Sequence, residues 1–119
     1  MKIIGIIGSR RRDTKEDYSL VMNALGNAIE SDNDEIVSGG CPQGGDRFAE
    51  ILAKKYQITI KIYYAQWNTY GKSAGYRRNG LIAKDADILI ACVAEDRKGG
   101  TENTISQYLK LGKTQLILV

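Results

Sequence analysis

Lys2-Ile3-Ile4-Gly5-Ile6-Ile7-Gly8, running through Ser9-Arg10-Arg11-Arg12 to Thr14 and Asp17, is the stretch that decides the fold. A near-continuous apolar run of this length reads as a strand buried on both faces, the central position of a parallel sheet. The residues beyond it change period. Tyr18, Val21, Met22, Leu25, Ala28 and Ile29 recur on one helical face, and Thr14 with Asp17 three residues on approximates a capping box at the start of that helix. Strand, polar loop and amphipathic helix make the first half of a βαβ unit.

Working outward, the same alternation repeats. Strands are expected at about 2–8, 35–38, 59–64, 88–93 and 115–119. Later helices are expected at about 46–56 burying Phe48, Ile51 and Leu52, at 74–84 around Leu81 and Ile82, and at 101–111 with Ile105, Tyr108 and Leu109 inward and Gly112 ending it. Ile58, Ile60 and Ile62 alternate with Thr59, Lys61 and Tyr63, the pattern of an edge strand, whereas the first and fourth strands read as central. The expectation is an α/β, Rossmann-like three-layer sandwich with a five-stranded parallel sheet in the order 3-2-1-4-5, and a switch point between strands one and four.

At 119 residues, with 43% hydrophobic and 26% charged residues, the chain fits one domain with its own core, and no linker or repeat divides it. The absence of histidine excludes imidazole bases, His-based triads and His metal sites. Two cysteines, Cys41 and Cys92, make neither a disulfide framework nor a four-ligand zinc site. Asp85, Asp87, Glu95 and Asp96 surround the fourth strand without converging on one point, so no metal is assigned, and no cofactor is implied. With no signal peptide and no membrane span in the pattern, the expectation is a cytoplasmic protein. A net charge of +3 is too mild to argue for duplex DNA.

Three loops carry the polar and glycine character: Gly8-Ser9-Arg10, Ser38-Gly39-Gly40 continuing to Gly44-Gly45-Asp46, and Gly99-Gly100-Thr101. They follow strands one, two and four, so a parallel sheet places all three on its carboxyl-end rim, where open α/β sheets bind ligands. Glycines let backbone amides approach an anion, helix N-termini point free N–H groups at it, and Ser, Thr or Arg complete the shell. Neither GxGxxG nor GxxxxGK[ST] is present, which disfavours an ordinary dinucleotide site and a Walker-type nucleotide triphosphatase.

The segments Val37-Ser38-Gly39-Gly40, Gly44-Gly45-Asp46-Arg47 with Ala49-Glu50, Trp67 to Gly71, Gly75, Arg78-Asn79 and Gly99-Gly100-Thr101 together resemble the SLOG superfamily. That group unites Smf/DprA proteins with the LOG phosphoribohydrolases, and the chain looks most like its small, single-domain members of the YspA type. The resemblance implies a Rossmann-like fold binding nucleotides or nucleotide-derived ligands on that rim, in a homodimer or larger homo-oligomer. It carries ligand-binding roles onto Gly8, Ser9, Arg10, Ser38, Gly39, Gly40, Gly44, Asp46, Arg78, Asn79, Gly99, Gly100 and Thr101. The glutamate that LOG enzymes place three residues after this loop is replaced by Thr104, and the nearest carboxylate is Glu102.

The reading is therefore a sensor or sequestering protein for a nucleotide-type ligand, which without an output domain needs an effector partner or must act by holding its ligand. The alternative is an N-glycosidase acting on nucleoside 5′-monophosphates, with Arg78 holding substrate and Glu102 or Asp46 stabilising the ribosyl cation. A third reading, single-stranded DNA binding, rests on Trp67, Tyr70 and Tyr76 near Arg77 and Arg78. Among the arginines, Arg10 is expected to face the ligand and Arg11 and Arg12 the solvent, and of Arg77 and Arg78 one is expected inward and one outward. Trp67 and Tyr70 either stack on a base or form an aromatic lid. Asp46 either contacts a ribose or caps its helix, and Cys41 lacks an adjacent base.

Overall fold

β1 (Ile3–Gly8) lies at the centre of the molecule because its neighbours come from opposite halves of the chain. β2 (Glu35–Ser38) pairs with it on one side through Ile4↔Ile36, and β4 (Ile88–Cys92) on the other through Ile4↔Ile88. β3 (Ile60–Ile62) and β5 (Leu116–Leu118) form the edges, so the computed structural model, which describes residues 1–119, is a parallel sheet of order β3-β2-β1-β4-β5. Every pairing is parallel.

Helices cover both faces. α1 (Lys15–Ala28) and α2 (Gly45–Tyr56) pack on one, α4 (Ala74–Asp85) and α5 (Gly100–Lys110) on the other. α1 starts at the capping box read from sequence: the Thr14 hydroxyl accepts from the Asp17 amide, and the Asp17 carboxylate accepts from the Thr14 amide. On its side Val21, Leu25, Phe48 and Leu52 close over Ile4, Ile6, Ile36 and Ile90, with Tyr18 edge-on to Phe48 at 5.6 Å between ring centroids. Burying a ring such as Phe48 contributes about 2–3 kcal/mol. On the opposite side Ile82, Ala83, Ile105 and Tyr108 cover Ile7, Val37, Leu89 and Ala91.

The helices differ from the sequence expectation in which of two adjacent apolar residues turns inward. Ile51, Leu81 and Leu109 are exposed, while Leu52, Ile82 and Tyr108 beside them are buried. Successive residues on a helix diverge by about 100°, so only one of each pair can face the sheet. The segment after β3 also contains an extra short helix, α3 (Trp67–Tyr70), followed by a 3-10 turn at Gly71–Ser73. No helix is long and apolar enough to cross a membrane.

Candidate functional site

The loops after β1 and β4 face each other across the switch point, and between them lies a cleft of about 380 Å³. Of the residues singled out from sequence, the cleft brings together Gly8, Ser9, Arg10, Asp46, Arg78, Asn79, Gly99, Gly100 and Thr101. Ser38, Gly39, Gly40, Gly44 and Glu102 are not on its wall. Arg11, Cys41, Lys98 and Thr104 join the lining, along with the apolar side chains of Ile7 and Ile82.

The loop after β4 is the open part. Gly99 has φ +118°, a backbone that side chains other than glycine rarely adopt, and it turns the chain into α5. No side chain caps that helix, and the amides of Gly100 and Thr101 donate to nothing within the protein. Free N–H groups at the positive end of a helix dipole attract anions. Lys98 and Arg10 stand at the same mouth with no acidic partner. One turn further into α5, Thr104 is 2% exposed yet lines the cleft.

The loop after β2 is built the opposite way. Its N-cap amide has a partner within the protein: Asp13 accepts from the Gly44 amide at 2.8 Å and from Arg47 Nε at 2.8 Å. Those bonds, the Gly44 amide first, hold the Asp13 carboxyl below its usual range. Asp46 is the second residue of α2 rather than its N-cap. Its side chain folds back, accepting from the Cys41 amide at 3.1 Å and lying 3.1 Å from Ser38 Oγ. The Ser38 hydroxyl has one proton, which its shorter bond to Ile6 O at 2.6 Å claims. Burial pushes the Asp46 pKa up, against the pull of the Cys41 amide, the Ser38 hydroxyl and Arg78.

Arg78 enters from α4 beside this loop, donating through Nη1 to Gly39 O and Tyr63 O and through Nε to Asn79 Oδ1. Asn79 in turn reaches Asn103 Oδ1 at 3.1 Å and Gly100 O at 3.4 Å, joining α4 to α5 behind the cleft. Arg77 points away, its guanidinium 4.5 Å from the Tyr70 ring. Trp67, Tyr70 and Tyr76 are all exposed and none lines the cleft.

Of the last two arginines of the run, both expected to face solvent, Arg11 is exposed and Arg12 is not. Arg11 crosses the mouth to clasp Asp96 with two bonds of 2.9 and 2.6 Å and touches Lys98 O. Arg12 turns under the sheet edge, pairing with Asp17 and donating to Val93 O and Val119 O. Unsatisfied carbonyls at strand ends draw such a fork of donors, a signal that sequence spacing does not carry. Glu102 is held by Arg97 in a two-bond pair of 2.8 and 2.9 Å, so Glu102 and Arg78 are not brought together on one wall. No group of three or more His, Cys, Asp or Glu side chains converges in the way a metal ion requires.

No protein-family model matches the chain, and no curated protein matches it by sequence. A solved structure does: that of the molybdenum cofactor binding protein from the phototrophic bacterium Rippkaea orientalis. The two are 26% identical and align with a TM-score of 0.75, over 98% of this chain and 75% of that one.

Proposed function

We propose that this protein binds a phosphorylated heterocyclic small molecule, a nucleotide or a cofactor of similar build, and holds it without turning it over. The observation that carries the reading is the open loop Lys98–Thr101. It combines free amides, a glycine backbone and the unpaired cations Lys98 and Arg10 facing one cleft. A phosphate there would replace solvent on every one of those donors, and charge-assisted bonds are about twice as strong as neutral ones. Ile7 and Ile82 offer an apolar surface for a ring beside it. The solved neighbour is a molybdenum cofactor binding protein, which supports a small-molecule ligand, and the resemblance to the SLOG superfamily points to the same rim.

Holding is favoured over hydrolysis because Glu102 is engaged by Arg97 away from the cleft. Asp46 is the one carboxylate on the wall, and it keeps the glycosidase reading in play: a buried carboxyl with a raised pKa beside Arg78 is a proton donor in waiting. Native mass spectrometry with AMP, GMP and a phosphorylated pterin, followed by release of the bound molecule, separates the two. Intact ligand supports holding, whereas free base with ribose phosphate overturns it in favour of hydrolysis, and Asp46→Asn then abolishes turnover. Gly100→Leu places a side chain over the free amides, where a Cβ meets nothing within 4 Å, and is expected to remove binding while the fold stays intact. Unchanged affinity in that variant sinks the reading.

A further inference from the structure

The opposite rim of the sheet carries a second concave surface. α1 and α2 end there, where the chain turns back into β2 and β3, and beside their last turns lies a groove of about 940 Å³. Its apolar wall is formed by Met22, Leu25 and Ile29 on one side and by Tyr56 and Ile58 on the other. Tyr56 is half exposed, and its hydroxyl reaches Met22 Sδ at 3.6 Å, so the ring joins the two helices across the groove.

Two residues on this wall run against local preference. Gly26 keeps an ordinary helical backbone in the last turn of α1, is exposed, and a Cβ there would meet nothing within 4 Å. Neither the helix nor its packing requires glycine at that position, and alanine would make the helix more stable. Gln57 does the reverse: it ends α2 with φ +55°, a left-handed turn that glycine fills most easily, yet it presents a side-chain amide to the groove. The groove therefore has bare backbone where the fold would accept a side chain, and a side chain where the fold would accept bare backbone. Close approach of a second chain accounts for the first, and a hydrogen-bonding amide at its edge for the second.

The groove also differs in charge from the rest of the molecule. Asp32 and Asp34 line it and no lysine or arginine does. The amides of Glu30, Lys2 and Ser31 hold the Asp34 carboxyl below its usual range, so it stays an anion although buried. Neither aspartate belongs to an ion pair, and Lys2 at this end is engaged by Glu30 at 2.7 Å. In a chain of net charge +3, whose ligand cleft is lined by Arg10, Arg11, Arg78 and Lys98, an acidic apolar surface selects a partner of the opposite sign.

We propose that this groove docks a basic amphipathic segment of a partner protein, with an apolar side chain between Met22, Ile29 and Tyr56, its backbone close over Gly26, and a lysine or arginine facing Asp32. Met22 adapts to the shape of the inserted side chain, and the position at the far end of the sheet lets the partner sit there while the cleft is filled. Selection of a phage-displayed library of random dodecapeptides on the whole protein, followed by calorimetry of the enriched peptides, tests it. Enriched sequences are expected to join a leucine or aromatic residue to lysine or arginine. Their binding should be lost in Gly26→Leu and weakened about tenfold at low salt in Asp32→Lys. Both positions are exposed, so the urea midpoint should hold in Asp32→Lys and rise in Gly26→Leu, which separates lost docking from lost folding. An acidic or purely apolar consensus, binding that neither substitution moves, or no enrichment at all overturns the proposal. Self-association at rising concentration that Gly26→Leu abolishes overturns it too, and gives the groove to a second copy of this chain.

Discussion

In the loop after β2, glycine sits where nothing larger fits: a Cβ on Gly45 would lie 2.3 Å from the Ile7 carbonyl carbon, and one on Gly44 2.3 Å from Ser9 O. In the loop after β4, a Cβ on Gly99 or Gly100 meets nothing within 4 Å. Both loops join a strand to a helix on the same rim, and both read as anion cradles from composition. The first uses its glycines to bring α2 hard against β1 and gives its N-cap amide to Asp13. The second leaves its amides to solvent. A glycine-rich loop on a sheet rim is thus two different devices, told apart by what a side chain would strike.

The sharpest break in that comparison comes from adding one methyl group to each loop. Gly45→Ala forces α2 off the β1 backbone and is expected to cost about 3 kcal/mol or more, or to prevent folding, whereas Gly100→Ala stays within about 0.5 kcal/mol. Urea unfolding midpoints measure both, and a tolerated Gly45→Ala would dissolve the distinction. Next in size, Ser38→Ala leaves Ile6 O and Asp46 short of a partner deep in the packed loop and should cost about 1–2 kcal/mol of stability. Lys98→Met does the reverse: an unchanged midpoint, with affinity for a phosphorylated ligand down about tenfold.

A smaller effect distinguishes the two carboxylates of the packed loop by pH. Asp13 has a lowered pKa, so its contribution is present above the ordinary carboxylate value near 4 and is lost as pH falls through its own lower one. Asp46 has a raised pKa, so the folded state holds its proton more tightly and stability declines as pH climbs from about 4 toward the folded value. Midpoints of unfolding between pH 4 and 8 should therefore decline more in the unaltered protein than in Asp46→Asn, and parallel curves would show that Asp46 ionises freely. Least of all, Asp96→Asn should leave the midpoint unmoved, since the Arg11 pair is exposed, yet free Arg11 to strengthen phosphate binding at low salt.

The fold was legible where one residue pattern has one structural use. The continuous apolar runs of β1 and β4, the alternation in β3 and the Thr14–Asp17 box each admit a single placement, and together they order the sheet. Adjacent apolar residues such as Ile51-Leu52 and Leu81-Ile82 were ambiguous because the phase of a short helix is set by the sheet beneath it. Lys113 had no signal at all: its ammonium gathers the carbonyls of Ala83, Lys84 and Ala86 at the end of α4, a contact spanning nearly thirty positions. In the site, the shared rim of the three loops came from topology. Thr104 and Lys98 were assigned no binding role because threonine and lysine are common on helices and loops, and only the cleft wall brings them together.

The central place of β1 also has a temporal side. Its register with β4 joins Gly8 to Cys92, so one edge of the most apolar strand stays unpaired until more than eighty further residues have been made. At about 5–20 residues per second of synthesis, that edge is open for on the order of ten seconds, flanked by Lys2 and by the Arg10–Arg12 run. Those charges act as gatekeepers for the nascent chain, discouraging the strand from pairing with another before its own partner arrives.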